Sequence, residues 1–141
     1  LGPATTILAD GEASELGVDL AASVLMRHGA GRSSATLTRM DAPGSNSAAI
    51  AGSDGWIDVD AVFYASTSFT VYDGGSRRRE LLRFDKPQHV GRGMQFQALE
   101  VERCLHAGEL ESPRMPLDES VAIMAVLDEV RASITAQATT L

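Results

Sequence analysis

The chain has 141 residues, of which 44% are hydrophobic and 22% charged, and its formal net charge is −7. These values are typical of a globular domain that can bury a core, and they exclude a disordered chain. An acidic chain with so few clustered Lys and Arg residues argues against nucleic-acid binding. Its single cysteine, Cys104, cannot form an internal disulfide, so we expect a reducing, cytoplasmic compartment.

The sequence gives no sign of a membrane protein. No run of residues approaches the roughly 20 apolar positions that a membrane helix needs. The N-terminal residues do not combine a charged segment with an apolar one, so they do not resemble a signal peptide. Since the sequence begins Leu1-Gly2-Pro3 rather than with methionine, we expect it to be part of a longer polypeptide.

The first 84 residues predict short strands separated by glycine-rich turns. One strand has apolar side chains at alternate positions: Val18, Leu20, Ala22, Val24 and Met26. This period of two places them on the same face of a sheet. Residues 5–9 and 32–40 predict two further strands, one before and one after it.

Two β-hairpins follow in the sequence. Residues 47–51 and 56–59 flank the loop 52–55 (GSDG), and residues 68–72 and 80–84 flank a turn beginning at 73–75 (DGG). Such connections are too short for a parallel crossover. The strands, about seven in all, are therefore expected to pair mainly in antiparallel fashion.

Two helices complete the sequence. The first has apolar residues at spacings of three and four (Met94, Ala98, Val101 and Leu105), and Gly108 fits its C-terminal cap. The second begins near Pro116, which suits a first helical turn, and acidic residues at 118 and 119 suit its N-terminal dipole. It carries a continuous apolar stripe: Leu117, Val121, Met124, Leu127, Val130 and Ile134.

These elements predict one α+β domain over residues 1–141. It consists of an open, mainly antiparallel sheet of about seven strands, with the two C-terminal helices packed on one face. The other face of the sheet then lacks cover within the chain. Because that face is rich in Val, Leu and Phe, we expect it to form a homodimer interface.

Three segments of the sequence resemble one enzyme family. Residues 93–105 (GMQFQALEVERCL), 111–120 (ESPRMPLDES) and 50–57 (IAGSDGWI) are similar to the C-terminal end of the Gfo/Idh/MocA oxidoreductases. Within the family, the resemblance is to the branch of dihydrodiol dehydrogenase and glucose–fructose oxidoreductase-like enzymes. The order of strands, hairpin and terminal helices agrees over nearly the whole chain.

The resemblance implies the substrate-side and oligomerisation domain of an NAD(P)-dependent oxidoreductase that acts on a sugar-like or diol substrate. In such enzymes an N-terminal Rossmann domain binds NAD or NADP, and the catalytic lysine and Asp/His pair precede the segment seen here. The resemblance therefore assigns no catalytic or cofactor-binding residue to this chain, which by itself should bind no cofactor. It places Gln95 and Phe96 at the wall of the substrate pocket.

Two motifs superficially resemble parts of a nucleotide-dependent active site. Asp85-Lys86-Pro87 is similar to the catalytic lysine motif, but it follows a strand of the antiparallel sheet, and we interpret it as a strand-exit loop. Gly91-Arg92-Gly93 precedes a helix, as a phosphate-binding segment would. Phe96 stands where the dinucleotide fingerprint has its third glycine, so we interpret the segment as a turn.

The other reactive residues form no recognisable catalytic or metal-binding set. His28, His89 and His106 lack the spacing of metal ligands, so no metal site is predicted. Cys104 and His106 point to different sides of a helix, and Cys104 is interpreted as a packed thiol. The arginines at 77–79 are interpreted as a solvated hairpin tip, and the carboxylates at 118, 119, 128 and 129 as solvated helix residues.

A second interpretation is a free-standing α+β module for ligand binding or dimerisation, with no enzymatic parent. An in-frame Rossmann segment upstream would favour the enzyme, and a natural start codon directly before Leu1 would favour the module. A small enzyme complete in itself is disfavoured, because the sequence contains no nucleophile–base pair and no metal-ligand cluster.

Overall fold

The computed structural model describes residues 1–65, 67–75, 78–88 and 93–138 of the chain. Two helices, α1 (Met94–Ala107) and α2 (Leu117–Ala138), follow the described strands, as predicted. The strands are β1 (Ala4–Ala13), β2 (Asp19–His28), β3 (Ser33–Arg39), β4 (Ala48–Ala51), β5 (Gly55–Val59), β6 (Phe69–Asp73) and β7 (Glu80–Phe84).

The predicted α+β class, with seven antiparallel strands and C-terminal helices, is confirmed. Hydrogen bonds divide the described strands into two sheets, where the sequence predicts one. Sheet A has the order β1-β2-β3, and sheet B has the order β4-β5-β6-β7. The chain forms two compact units: Leu1–Pro43 with Glu111–Leu141, and Gly44–Leu110.

Sheet A has two faces of different character. Register places Leu8, Leu25 and Ala35 side by side on one face, with Leu37 two residues along β3. Those three leucines are exposed, and they line a shallow groove of about 430 Å³. The other face carries Ala9 and Gly11, and Ala9 is buried.

Helix α2 packs against β1 on the Ala9 face of sheet A. Ile134 is 2% exposed, and it lies directly over Gly11. A Cβ atom at position 11 would lie 2.8 Å from Ile134 Cδ1 and 2.4 Å from the Ala21 carbonyl oxygen. Glycine is therefore required at position 11 for the helix and the sheet to approach this closely.

Only part of the predicted apolar stripe of α2 packs against the sheet. Ile134 is buried and Val130 is half-buried, but four members of the stripe are exposed: Leu117, Val121, Met124 and Leu127. Val126, outside the stripe, is half-buried and stands four residues before Val130. Because α2 is apolar around much of its circumference, periodicity alone did not identify the side that meets the sheet.

Sheet B also has two distinct faces. On one face Phe69 of β6 stacks on Phe84 of β7, with ring centroids 5.0 Å apart. On the other face Trp56 of β5 stacks on Tyr72 of β6, with centroids 4.8 Å apart. Thr70, which is buried, lies on the same face as Trp56 and Tyr72, so this face combines aromatic and polar side chains.

The helix ends follow the sequence signals. Gly108 has a left-handed conformation (φ 69°), and its N–H and that of Glu109 donate to the last carbonyl oxygens of α1, which confirms the predicted cap. At the start of α2 the backbone N–H of Leu117 donates to a carboxylate oxygen of Glu111 at 2.6 Å. Glu111 thereby satisfies one of the amide groups that a helix N-terminus leaves open.

The predicted apolar face of α1 is not its packed face. Met94, Val101 and Leu105 are all exposed, whereas Cys104 is buried and Glu100 is half-buried one turn before it. Spacing shows which residues share a side of a helix, but it does not show which side meets the rest of the fold. Among the described helices, none is long and apolar enough to cross a membrane.

We expect Ile134→Ala to lower the free energy of unfolding by about 2–4 kcal/mol, because it removes buried methyl groups and leaves a cavity above Gly11. Leu127→Ala is the matched control on the same helix, since Leu127 is 53% exposed. Urea titration of both variants would measure the difference. Equal losses in the two variants would contradict the packing of α2 described above.

Candidate functional site

The second unit presents a pair of exposed aromatic side chains in the connection between β5 and β6. Phe63 and Tyr64 are in edge-to-face contact, with ring centroids 5.6 Å apart. Tyr64 is 68% exposed. Residues 61–65, which we name the aromatic loop, thus hold two rings toward solvent rather than in a core. Aromatic side chains in this position are suited to contact the apolar part of a ligand.

Hydrogen bonds fix the base of the aromatic loop. The N–H of Asp60, which precedes the loop, donates to the carbonyl oxygen of Ser68 at 3.0 Å, and the Thr67 hydroxyl donates to the Asp60 carbonyl oxygen. Within the loop, the Phe63 N–H donates to the Asn46 carbonyl oxygen at 2.9 Å. The loop is therefore closed at Asp60 and anchored at its middle.

Arg83 of β7 ties this base to β6 and to the residue that follows β7. Its guanidinium binds both carboxylate oxygens of Asp60, at 2.5 and 3.2 Å, and donates to the Thr70 hydroxyl at 2.8 Å. A further N–H donates to Asp85 at 3.0 Å. The hydrogen bonds from Arg83 lower the pKa of Asp60 below its ordinary value, and those to Asp60 and Asp85 raise the pKa of Arg83.

The sign of the Asp60 shift sets its pH dependence. Because the folded state holds the pKa below the ordinary value of 3.8, Asp60 contributes to stability at neutral pH. This contribution to stability decreases when the pH falls below the ordinary pKa of 3.8, and it is lost as the pH falls through the lower pKa of the folded state. Asp60 and Arg83 are both partly exposed, so the contribution is modest.

A second cluster lies at the opposite end of β5. The Arg78 guanidinium lies 5.3 Å from the Trp56 ring centroid and 4.9 Å from that of Tyr72. The same side chain forms an ion pair of 2.7 Å with Asp58. The exposure of Arg78 agrees with a solvated tip, and its guanidinium also lies on the aromatic pair. Arg79 pairs with Asp73, and Arg77 lies outside the described residues.

The predicted pocket residues occupy the first turn of α1. Gly93, with φ 90°, precedes the helix, and the Phe96 N–H donates to its carbonyl oxygen at 3.0 Å. Gln95 and Phe96 are both exposed. Their assignment to a substrate pocket stays a prediction. Gly91 and Arg92, the rest of the segment interpreted as a turn, lie outside the described residues.

The Asp85-Lys86-Pro87 motif directly follows β7. Its Asp85 carboxylate accepts a hydrogen bond from Arg83, and the Lys86 backbone N–H donates to the Ser68 hydroxyl oxygen at 3.0 Å. These contacts tie the strand exit to the base of the aromatic loop. The motif's position agrees with its interpretation as a strand-exit loop.

The described residues contain no group of three His, Cys, Asp or Glu side chains that could hold a metal ion. The His28 ring contacts the Gly2 carbonyl oxygen at 2.9 Å and the Ser34 hydroxyl at 3.0 Å. His106 lies 3.7 Å from Glu102, one turn away on α1. His89 lies outside the described residues.

Cys104 is buried beside an arginine–carboxylate cluster. Arg103 donates to both carboxylate oxygens of Glu100, at 2.9 and 3.1 Å, and to those of Glu109, at 2.8 and 3.3 Å. It thus connects α1 to the residues after its cap. Burial raises the pKa of the Cys104 thiol, although the positive charge of Arg103 partly opposes this effect.

Sequence reasoning missed Phe63, Tyr64 and Arg83. The available signal for the first two was the pairing of adjacent aromatic residues between predicted strands, in a chain with only 5% aromatic residues. Arg83 gave no such signal, because its four polar contacts come from residues up to 23 positions away. Strand pairing brings those contacts together.

We expect the thiol of Cys104 to react at least about tenfold more slowly in the native chain than after unfolding in urea, because its pKa is raised and its sulfur is shielded. A chromogenic disulfide reagent at mildly alkaline pH measures both rates. Since the chain has a single cysteine, the signal has one source. Equal rates would contradict the burial of this side chain.

Comparison with known proteins identifies related oxidoreductases. The chain is 31% identical over 126 residues to trans-1,2-dihydrobenzene-1,2-diol dehydrogenase of Xenopus tropicalis, which covers 88% of this chain and 38% of that protein. The human protein of the same name is 31% identical over 131 residues, covering 88% and 37%. The chain thus spans less than two fifths of these relatives. No known family profile matches it.

The fold also has a counterpart among solved structures. Aldose-aldose oxidoreductase from Caulobacter crescentus, in complex with glycerol, superposes with a TM-score of 0.74 over 96% of this chain and 40% of that one. At 12% identity this likeness concerns the fold alone. The sequence similarity to dihydrodiol dehydrogenases confirms the predicted resemblance to the C-terminal domain of the Gfo/Idh/MocA oxidoreductases, and the superposition shows that the fold is shared.

Proposed function

We propose that this chain is the substrate-side and oligomerisation domain of an NAD(P)-dependent oxidoreductase that acts on a diol or a sugar-like substrate. Its relatives are named as diol dehydrogenases, and it spans 38% of the length of one of them. In the proposal, the remaining part of the enzyme binds the nucleotide. The location of the enzyme would be cytoplasmic, in keeping with a single unpaired cysteine.

The exposed Phe63–Tyr64 pair is the observation that supports a substrate-side role. A cyclic diol presents an apolar ring face together with hydroxyl groups. The aromatic loop offers ring surface for the former and the Tyr64 hydroxyl for the latter. Because hydrogen bonds already fix the base of the loop, substrate binding would cost little conformational entropy of the loop backbone.

The nucleotide has no evident site among the described residues. Sheets A and B are antiparallel, so the described strands form no parallel β-α-β unit of the kind that holds a dinucleotide. Bound elsewhere in the enzyme, NAD or NADP would exchange a hydride with the substrate. In the proposal, the aromatic loop, with Gln95 and Phe96, binds and orients that substrate and excludes water from it.

The exposed apolar surfaces of the chain support the proposal of two partners. The Leu8, Leu25 and Leu37 face of sheet A is apolar and forms only a shallow groove, which suits a second copy related by a two-fold axis. In the proposal, the nucleotide-binding Rossmann domain would cover the exposed apolar residues of α2. The homodimer and the Rossmann domain are both parts of the proposal.

We expect Tyr64→Ala to raise KM for a cyclic diol by about tenfold in the longer enzyme, with a much smaller change in kcat, since a ring contact of about 1 kcal/mol or more would be lost. Tyr64→Phe is the matched control, because it retains the ring and removes only the hydroxyl. Nucleotide reduction with trans-1,2-dihydrobenzene-1,2-diol, and separately with an aldose, provides the assay.

Two results would contradict the proposal. One is an unchanged KM for both substrates in Tyr64→Ala, which would exclude the aromatic loop from the pocket. The other is saturable binding of NAD(H) or NADP(H) by the isolated 141-residue chain, which would place the nucleotide site within it.

We expect Leu37→Glu to convert a dimer into a monomer, because it places a charge on the uncovered face of sheet A. Leu37 is 82% exposed. Leu16→Glu is the matched control, since Leu16 is 91% exposed and lies in the turn before β2. Light scattering at tens of micromolar measures the mass. A monomeric wild-type chain at this concentration would rule out the interface.

A further inference from the structure

We propose that Arg83 is a positioning residue, which holds the aromatic loop in place from a neighbouring strand. The consequence for catalysis rests on the proposed function, but the structural role of Arg83 does not. It gives the Arg83 cluster a specific role beyond that of a surface ion pair.

The reach of Arg83 across sheet B is the first step. Arg83 on β7 lies directly opposite Thr70 on β6, and Thr70 lies opposite Asp58 on β5. Asp60 is two residues beyond Asp58, just after β5 ends. The guanidinium therefore extends from β7 over the buried Thr70 hydroxyl to the chain that leaves β5.

The role of Asp60 at the base of the loop is the second step. Its N–H and its carbonyl oxygen bond to Ser68 and Thr67, which bring the returning chain back to the sheet. Its carboxylate is bound at both oxygens by Arg83. Three groups of Asp60 are thus engaged, so its position determines where the loop begins and where it ends.

The link to the exit of β7 is the third step. The same guanidinium binds Asp85, and the next residue, Lys86, donates its N–H to the Ser68 hydroxyl oxygen. Arg83 therefore joins the base of the aromatic loop to the chain leaving β7. Displacement of the guanidinium would remove the link through Asp60 and Asp85 and leave the one between Lys86 and Ser68.

The geometry requires an arginine. Three nitrogens of one planar group donate to Asp60, Thr70 and Asp85 at the same time. A lysine ammonium is a point charge on a flexible stem and cannot span these acceptors from one position. The Arg83 side chain is 34% exposed, compared with 73% for Arg79, whose ion pair with Asp73 lies within a hairpin turn.

Hydrogen exchange of the full chain, read by mass spectrometry, tests the role. In Arg83→Gln we expect the amides of residues 60–68 to exchange about tenfold faster, because a charged hydrogen-bonded contact is lost at their base. Arg83→Lys should restore little of the protection. Arg79→Gln is the matched control, which should leave residues 60–68 unchanged.

Amides of sheet A serve as the internal reference. If Arg83→Gln leaves residues 60–68 unchanged, or accelerates sheet A to the same degree, Arg83 is not a positioning residue. The second result would make it a residue of general stability. Asp60→Asn, which removes the charge and keeps the size of the partner, should reproduce the local change and is the second variant.

Kinetics of the longer enzyme separate the two proposals. With a cyclic diol, Arg83→Gln should raise KM several-fold, with kcat changing less and Arg79→Gln having no effect. Faster exchange with an unchanged KM would support the positioning role and contradict the aromatic loop as substrate wall. Unchanged exchange would overturn the role of Arg83 whatever the kinetics.

Discussion

Ile134 packs directly on Gly11, and the first unit depends on this contact. No larger residue at position 11 would allow α2 to reach β1, because a Cβ atom there would collide with Ile134 and with the Ala21 carbonyl oxygen. The contact joins the two ends of the sequence, with residues 44–110 between them forming the other unit. The first unit can therefore form only after long-range closure of the chain, which costs entropy before it gains burial.

This packing also determines which surfaces remain apolar and open. Because α2 covers the Ala9 face of sheet A, the leucines at 8, 25 and 37 face outward. Both helices also have exposed apolar residues, outside the positions that are buried. Exposed apolar surface of this kind is typical of interfaces. It is consistent with a chain whose relatives are more than twice as long.

In the second unit, the ion pairs and the buried apolar side chains lie in different places. Arginines of β7 and of the turn before it reach carboxylates of β5, of β6 and of the residue after β5: Arg78 binds Asp58, Arg79 binds Asp73, and Arg83 binds Asp60. These pairs fix the hairpin end and the loop end of sheet B. Hydrogen bonds and ion pairs, rather than a buried core, thus hold the exposed rings of the aromatic loop in place.

The sequence alone predicts the α+β class, the number of strands and their positions along the chain, both hairpins, the Gly108 cap and the resemblance to the family. These depend on local periodicity, short connections and residue strings, all of which are read along the chain. Three features come from the tertiary structure: the division of the strands into two sheets, the sides of α1 and α2 that are buried, and the contacts of Arg83 with Asp60 and Thr70. Those features depend on which distant segments come together, and that is set by register and by close approach, as at Gly11, rather than by the composition of any one segment.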